Sequence, residues 1–237
     1  MNNIHSVAIH QPNFLPWIGF FLKMSVCDVF VFLDDVQFTR KRAARADLLD
    51  RRQQTMMVSI PVSLPMGFET TYSQAIPIYD RKMCCKILNR IKENYQRSPG
   101  FKYVFPLIED RLNKKFASLA DLNITLIKDI CEILGLHINT IKSSEIQIIA
   151  DEKNNRNMEI VKYLGGELYY SGEGGQYYNN PDIFESNYIN IAIIKPAKET
   201  LKVILPEELG LSIVHQIFTY GPGTVREELE NLRKHKY

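Results

Sequence analysis

The chain has 237 residues, 45% hydrophobic and 24% charged, with a formal net charge of +2. That length suits one large domain, able to bury roughly 70% of the surface of its unfolded form without covalent staples. The small net charge argues against a general nucleic-acid binder, and no apolar run reaches the roughly 18 residues that a membrane helix needs. The first residues lack a basic segment, and His10, Gln11, Pro12, Asn13 and Pro16 interrupt any apolar stretch, so no cleaved leader is expected and the protein is placed in the cytoplasm.

Ser6–His10 reads as a short buried strand closed by the breaker Gln11-Pro12-Asn13. Trp17–Met24 is an apolar helix, and Asp28–Leu33 a second strand, β-branched and aromatic, halted by Asp34-Asp35. Strand, helix and strand in so short a span form a Rossmann-like βαβ unit, with parallel strands and a right-handed crossover. Both strands are almost wholly apolar, as in a sheet covered on both faces. Residues 40–54 read as a polar stretch, followed by a strand at Met56–Val62 that Pro61 and Pro65 close.

From Asp80 the apolar spacing changes to three and four. It predicts helices at residues 80–95, Phe101–Phe116 and Leu119–Leu134, the last capped by Gly135. Sheet pattern resumes at Ile138–Ile141. A helix at Arg156–Leu164 ends at Gly165-Gly166, and a strand Glu167–Tyr170 runs into a loop at Ser171–Gly175. A strand at Ile189–Ile194 and a helical pair from Leu211 finish the chain. The expected architecture is a single α/β domain over residues 1–237, mainly a parallel sheet, with a helical subdomain inserted at residues 80–135. Cys27, Cys84, Cys85 and Cys131 form no C-x-x-C pair and stand with no histidine cluster. They read as small buried hydrophobes rather than metal ligands or disulfides.

In open parallel sheets ligands collect beyond the carboxyl ends of the strands. The loop after the first strand offers His10, Gln11, Asn13 and Trp17, and the end of the second offers Asp34, Asp35 and Gln37. Buried polar groups are costly unless paired, so this grouping marks a ligand crevice. His10 has the intrinsic pKa of a base working near neutrality, with a satisfied core histidine as the competing reading; Trp17 is equally a packing residue, and the aspartates equally turn formers. Arg40, Lys41, Arg42 and Arg45 place four cations in six residues after this crevice. They suit phosphate recognition or a solvated face. In Y-Y-S-G-E-G-G-Q-Y-Y, residues 169–178, tyrosines flank Gly172, Gly174 and Gly175; the glycines let backbone approach a ligand and the rings suit a sugar or base. Tyr170 and Ser171 are assigned to that wall. His215 lies in the mostly apolar helix L-S-I-V-H-Q-I-F, as a substrate contact or a core residue.

V-A-I-H-Q-P-N-F-L-P-W-I-G-F-F followed by D-V-F-V-F-L-D-D-V-Q-F resembles the opening signature of the WbqC-like family. The Tyr169–Tyr178 segment is similar to that family's later tyrosine-serine-glycine loop, and L-S-I-V-H-Q-I-F-T-Y-G to its final helix. Members occur in bacterial surface-polysaccharide gene clusters, and a role in attaching glycine to an amino sugar has been suggested for some. The resemblance therefore implies N-acyl or N-aminoacyl transfer to the amine of a nucleotide-linked amino sugar. It implies no tightly bound cofactor or metal. The donor would be an acyl-carrier thioester, a CoA thioester or an aminoacyl donor, with an acyl carrier protein as a candidate partner. In that scheme His10 is the base, Asp34 or Asp35 orients it or holds the amine, and Gln11, Asn13 or the glycine-loop amides receive the oxyanion. An ATP-dependent ligase and a non-catalytic nucleotide-sugar binder are the alternatives. The chain departs from the family pattern at Arg45-Ala46-Asp47, where many relatives carry Arg-Asn, and at His215, where Asp is common.

Overall fold

The computed structural model describes residues 5–78, 80–146, 148, 153–177 and 179–234, with backbone alone described at 153, 154, 176 and 177. Its centre is a five-stranded sheet, parallel throughout. The strands are β1 (Ser6–His10), β2 (Val29–Phe32), β7 (Asn139–Lys142), β8 (Leu168–Gly172) and β9 (Asn190–Ile194), laid side by side in the order β7-β2-β1-β8-β9. Numbered among themselves in chain order, these five strands run 3-2-1-4-5 across the sheet. The chain leaves β1 toward one edge and resumes from β8 toward the other, so the winding reverses between β1 and β8. The expected α/β class and βαβ opening are both present.

Two cores flank the sheet. On one face, α1 (Ile18–Val26), α3 (Arg81–Tyr95), α4 (Phe101–Leu112), α5 (Leu119–Leu134) and α8 (Ile213–Lys234) join one large apolar cluster with Ala8, Phe30 and Phe32. On the other, α6 (Lys153–Tyr163) and α7 (Pro181–Glu185) pack Met158, Ile160, Val161 and Phe184 against Val7, Ile9, Val31 and Tyr169. Alternate residues of each strand thus enter opposite cores, as strand geometry requires. Residues α3 to α5 share their core with α1 and α8. Ser118 caps α5 by accepting from Asp121 N at 3.1 Å, and Gly135 ends it with φ 65°, the left-handed turn a C-terminal glycine serves. Gly221, at φ 81°, breaks α8 into two helical stretches, the expected pair.

The stretch 40–54 is more structured than expected. A single helical turn, α2 (Arg40–Ala43), leads into β3 (Arg45–Leu49), which pairs antiparallel with β4 (Thr55–Ser59). The hairpin is amphipathic, with Ala46, Leu48, Met56 and Val58 buried while Arg45, Asp47 and Thr55 are exposed. The strand expected over Met56–Val62 breaks after Ser59, and Val62–Ser63 (β5) pairs separately with Ile76–Pro77 (β6). Among the described residues no helix is long and apolar enough to cross a membrane.

Candidate functional site

At the switch between β1 and β8 the sheet opens into a crevice of about 600 Å³, a size suited to a small-molecule ligand. Its walls are the His10–Trp17 loop, the start of α1, the Thr39–Arg42 turn, Asn157 of α6, and the end of β8 with the 3-10 turn Glu173–Tyr177. His10, Gln11, Asn13, Trp17, Arg42, Ser171, Gly172, Gly174 and Gly175 all line it, so the residues expected from the two loops do meet. Sequence separation between the loops is large; what joins them is the pairing of β1 with β8, Ala8 opposite Tyr170.

His10 is half-buried, edge-on to Trp17 at 5.6 Å and to Phe20 at 5.1 Å between ring centroids. Its Nδ1 lies 2.9 Å from the Gln11 carbonyl. A carbonyl only accepts, so that contact selects the tautomer protonated at Nδ1 and makes Nε2 the basic nitrogen. The Arg42 guanidinium sits 4.5 Å from the Trp17 ring centroid, in cation–π contact. The indole needs Gly19 beneath it, because a Cβ there would come within 2.9 Å of Trp17 Nε1. Fully buried Asn123 of α5 donates to Pro12 O at 2.8 Å and to Ala43 O at 2.7 Å, clamping the histidine loop to the Arg42 turn.

The glycine segment is built by close approach. A Cβ on Gly175 would strike Ser171 Oγ at 1.8 Å, so only glycine lets the turn fold back on the strand end. Ser171 Oγ accepts from Asn179 Nδ2 at 2.8 Å. Gly172 and Gly174, both lining the crevice, have open space where a Cβ would stand. Ser171 and Gly172, expected in a loop, belong to β8. Tyr178 lies outside the described residues.

Lys23 is the residue that sequence reasoning missed. It lies on α1, 4% exposed, and donates from Nζ to Ile9 O at 2.9 Å on the crevice wall. Burial pulls its amine down to about 7. Set in W-I-G-F-F-L-K-M it reads as an ordinary surface lysine of an apolar helix. Its spacing three and four residues after Phe20 and Gly19, both on the crevice, is the signal that would have found it. Lys41, expected in the basic run, lines the crevice, and Thr39, Tyr72, Asn157 and Glu173 line it unannounced. Thr39 Oγ1 and Tyr72 OH are 2.8 Å apart, and Asn157, 3% exposed, has its Oδ1 without a hydrogen-bond partner among the described residues.

Other expected residues lie elsewhere. Asp34, 1% exposed, accepts from Ser144 N at 3.0 Å and Ser144 Oγ at 2.8 Å, while its backbone N donates to Ser143 Oγ at 3.1 Å. Asp35 pairs with Ser143 Oγ and with Arg156. Both therefore anchor the end of β2 to the turn after β7, its other neighbour, and neither lines the crevice. Gln37 is exposed, and its Nε2 donates to Phe68 O at 2.8 Å. Arg40 is exposed outside the crevice, and Arg45, on β3, lines a smaller recess of about 110 Å³ beside Trp17 and Arg42. Tyr170 points into the α1–α8 core because alternation gives the crevice side to Tyr169. His215, 3% exposed, meets Tyr95 OH at 2.8 Å through Nδ1 and lies 3.5 Å from Glu208 through Nε2. Burial lowers its pKa, with Glu208 opposing that shift. It belongs to a buried polar knot rather than to the crevice.

Among known proteins the chain is similar to "Uncharacterized protein Rv1507c" of Mycobacterium tuberculosis (strain ATCC 25618 / H37Rv), 25% identical over 187 residues that cover 78% of this chain and 80% of that protein. No solved structure matches it. The model of the WbqC-like protein family matches residues 11–227, from the residue after His10 to the second half of the last helix. With the match spanning the histidine loop, the glycine segment and the whole sheet beyond β1, the chain belongs to the WbqC-like protein family.

Proposed function

We propose that the protein is a cytoplasmic biosynthetic enzyme that transfers an acyl or aminoacyl group, glycyl among the candidates, to the amine of a nucleotide-linked amino sugar. The observation that carries this reading is His10, held by its Nδ1 contact to Gln11 O with Nε2 as the basic nitrogen, at the mouth of the β1–β8 crevice. Nε2 takes the proton of the attacking amine as the new C–N bond forms. The carbonyl carbon then releases the thiolate or alkoxide of the donor, which leaves protonated. Backbone N–H groups around Gly172 and Gly174, where no side chain intervenes, are candidate donors to the oxyanion. Trp17 supplies ring surface for the sugar or base. Membership in the WbqC-like family supports a biosynthetic role.

The 3-2-1-4-5 strand order, shared with nucleotide-binding folds, favours a second reading. In it, an ATP-dependent ligase activates a carboxylic acid as its adenylate. One experiment separates them. A panel of nucleotide-linked amino sugars is incubated with acyl-carrier, CoA or aminoacyl donors, or with ATP and free acids, and products are followed by mass spectrometry. Transfer predicts amide product from a thioester or aminoacyl donor without AMP. AMP released with the amide establishes the ligase, and ligand binding without product from any combination rejects both.

A further inference from the structure

Lys23 is a buried cation for which the described residues supply no counter-charge. Its Nζ donates to the neutral Ile9 carbonyl at 2.9 Å, and no carboxylate stands within ion-pair distance of it among the described residues. An ammonium carries three N–H donors, and a buried one is costly unless paired. The titratable groups around it do not relieve this. Cys27, one turn on along α1, has its thiol pushed up to about 12 by burial and stays neutral. His10 on β1 and Lys41 and Arg42 across the crevice are neutral or positive. Glu173, the one carboxylate on the crevice walls among the described residues, is ion-paired with Lys195 at 3.1 Å.

One further feature of the surroundings favours negative charge, and another points to a ligand. Helix α1 begins at the crevice, with no capping side chain and no acidic residue in its first turn, so its N-terminal end adds positive potential. Gly19, one turn ahead of Lys23, lets the Trp17 indole lie close against the start of the helix. Independently, the buried Asn157 Oδ1 on the α6 wall has no hydrogen-bond partner among the described residues; as an acceptor it calls for an N–H or O–H of the ligand, such as a sugar hydroxyl, and so points to a ligand group completing the site.

We propose that Lys23 is the anion receptor of the crevice: a phosphate of the nucleotide-linked ligand pairs with its ammonium, and Lys23 takes up a proton as that ligand binds. This rests on the reading of the ligand as nucleotide-linked, and is independent of the group transferred. The proton moves from solvent to Nζ, and no covalent bond forms or breaks. Because burial brings the amine to about 7, a phosphate beside it favours the charged form. The uptake is therefore large above neutrality and small below it.

The test is calorimetric titration of the full-length protein with inorganic pyrophosphate and with uridine and adenosine diphosphates. It is run at pH 8 and pH 6 in buffers of differing ionisation enthalpy, with coenzyme A as the phosphate source of a carrier-type donor. The expected result is uptake of close to one proton per nucleoside diphosphate at pH 8 and much less at pH 6. Lys23→Met and Lys23→Gln should abolish the uptake and weaken binding about 10- to 100-fold, the loss of a charge-assisted contact, with melting temperatures confirming that they fold. His10→Asn should keep the uptake. Equal uptake in a folded Lys23 variant, no binding of any diphosphate by the wild type, or Lys23-dependent uptake with coenzyme A alone overturns the proposal. Uptake without any amide product from the wild type counts against the transfer reading and leaves Lys23 as the anion receptor. A folded Lys23→Met that forms product at unchanged KM does the reverse.

Discussion

Two neighbouring strand ends carry polar residues, and they differ in how completely those residues are matched. At the end of β2, Asp34 and Asp35 are met by Ser143, Ser144 and Arg156, and little of their hydrogen-bonding capacity is turned outward. At the end of β1, one strand away, the crevice keeps a buried lysine that lies over the Phe30 ring and donates to a carbonyl, and an asparagine oxygen with no partner among the described residues. A closed set of partners is what a structural joint needs, because each buried group left unmade costs stability. An open set is tolerated where a ligand completes it. The polarity of the residues is the same at both ends; the bookkeeping of their partners tells joint from site.

Exchanging one residue at each end should therefore produce opposite failures. His10→Asn is expected to lower kcat about 10²- to 10⁴-fold, the range for loss of a general base, with a melting temperature near that of the wild type. Steady-state kinetics and a thermal melt on the same preparation check this, and an unfolded variant whose folded fraction keeps full activity would return His10 to the core. Asp34→Ala should do the converse. It removes the buried carboxylate that accepts from Ser144 N, Ser144 Oγ and Ser143 Oγ, the last of which keeps Asp35 as an acceptor, at about 3 kcal/mol for bonds to a charged group. For a chain of this length that is a fall of roughly 6–12 °C in melting temperature. The turnover of the molecules that remain folded should stay within a few-fold of wild type. A large loss of kcat at unchanged Tm would make Asp34 part of the chemistry.

The comparison also explains what could be read in advance. The ends of β1 and β2 are chemically alike in sequence, and adjacency of parallel strands suggested one shared crevice. Each strand of a sheet has two neighbours, however. β2 shares its end with β7, and β1 with β8. That order depends on pairing across more than a hundred residues, which no local pattern encodes. What was legible was local: the apolar runs of β1 and β2, the Ser118 and Gly135 caps of α5, and the glycine segment. The β3–β4 hairpin was missed because its charged residues dominate the reading, although Arg45–Leu49 and Thr55–Ser59 both alternate. Tyr170 was taken for Tyr169 because one step along a strand reverses the face and nothing nearby fixes the phase. Lys23 was passed over because burial of a lysine is visible only once β1 lies against α1.

Asn123 lies between the two kinds of residue, structural in its contacts and functional in what it holds. Asn123→Ala removes the donors to Pro12 O and Ala43 O, at about 2 kcal/mol for two buried bonds. Freed from the clamp, the histidine loop and the Arg42 turn should separate. KM for the nucleotide-linked substrate should then rise several-fold while kcat falls less. Asn123→Asp, which cannot donate from that side chain when ionised, should not rescue it. Loss of stability with KM unchanged would make Asn123 a core residue alone.

The smallest effects test the alternation along β8. Tyr169 stacks on Phe184 at 5.3 Å between centroids, lies 3.4 Å from Asn157 Nδ2 through its hydroxyl, and reaches the crevice. Tyr170 turns the other way, into the cluster of α1 and α8, where burial raises its pKa. Removing each hydroxyl leaves the rings packed, so both phenylalanine variants should fold with stabilities within about 1 kcal/mol of wild type. They should part in binding. Tyr169→Phe withdraws a polar atom from the wall that carries Asn157 and should raise KM two- to five-fold, below the roughly tenfold that a full 1.4 kcal/mol would give. Tyr170→Phe should leave KM unchanged. The reverse pattern, measured side by side, would mean that β8 presents its other face to the crevice in solution. The ring wall would then be Tyr170, and the register of β8 against β1 would be one residue out of step.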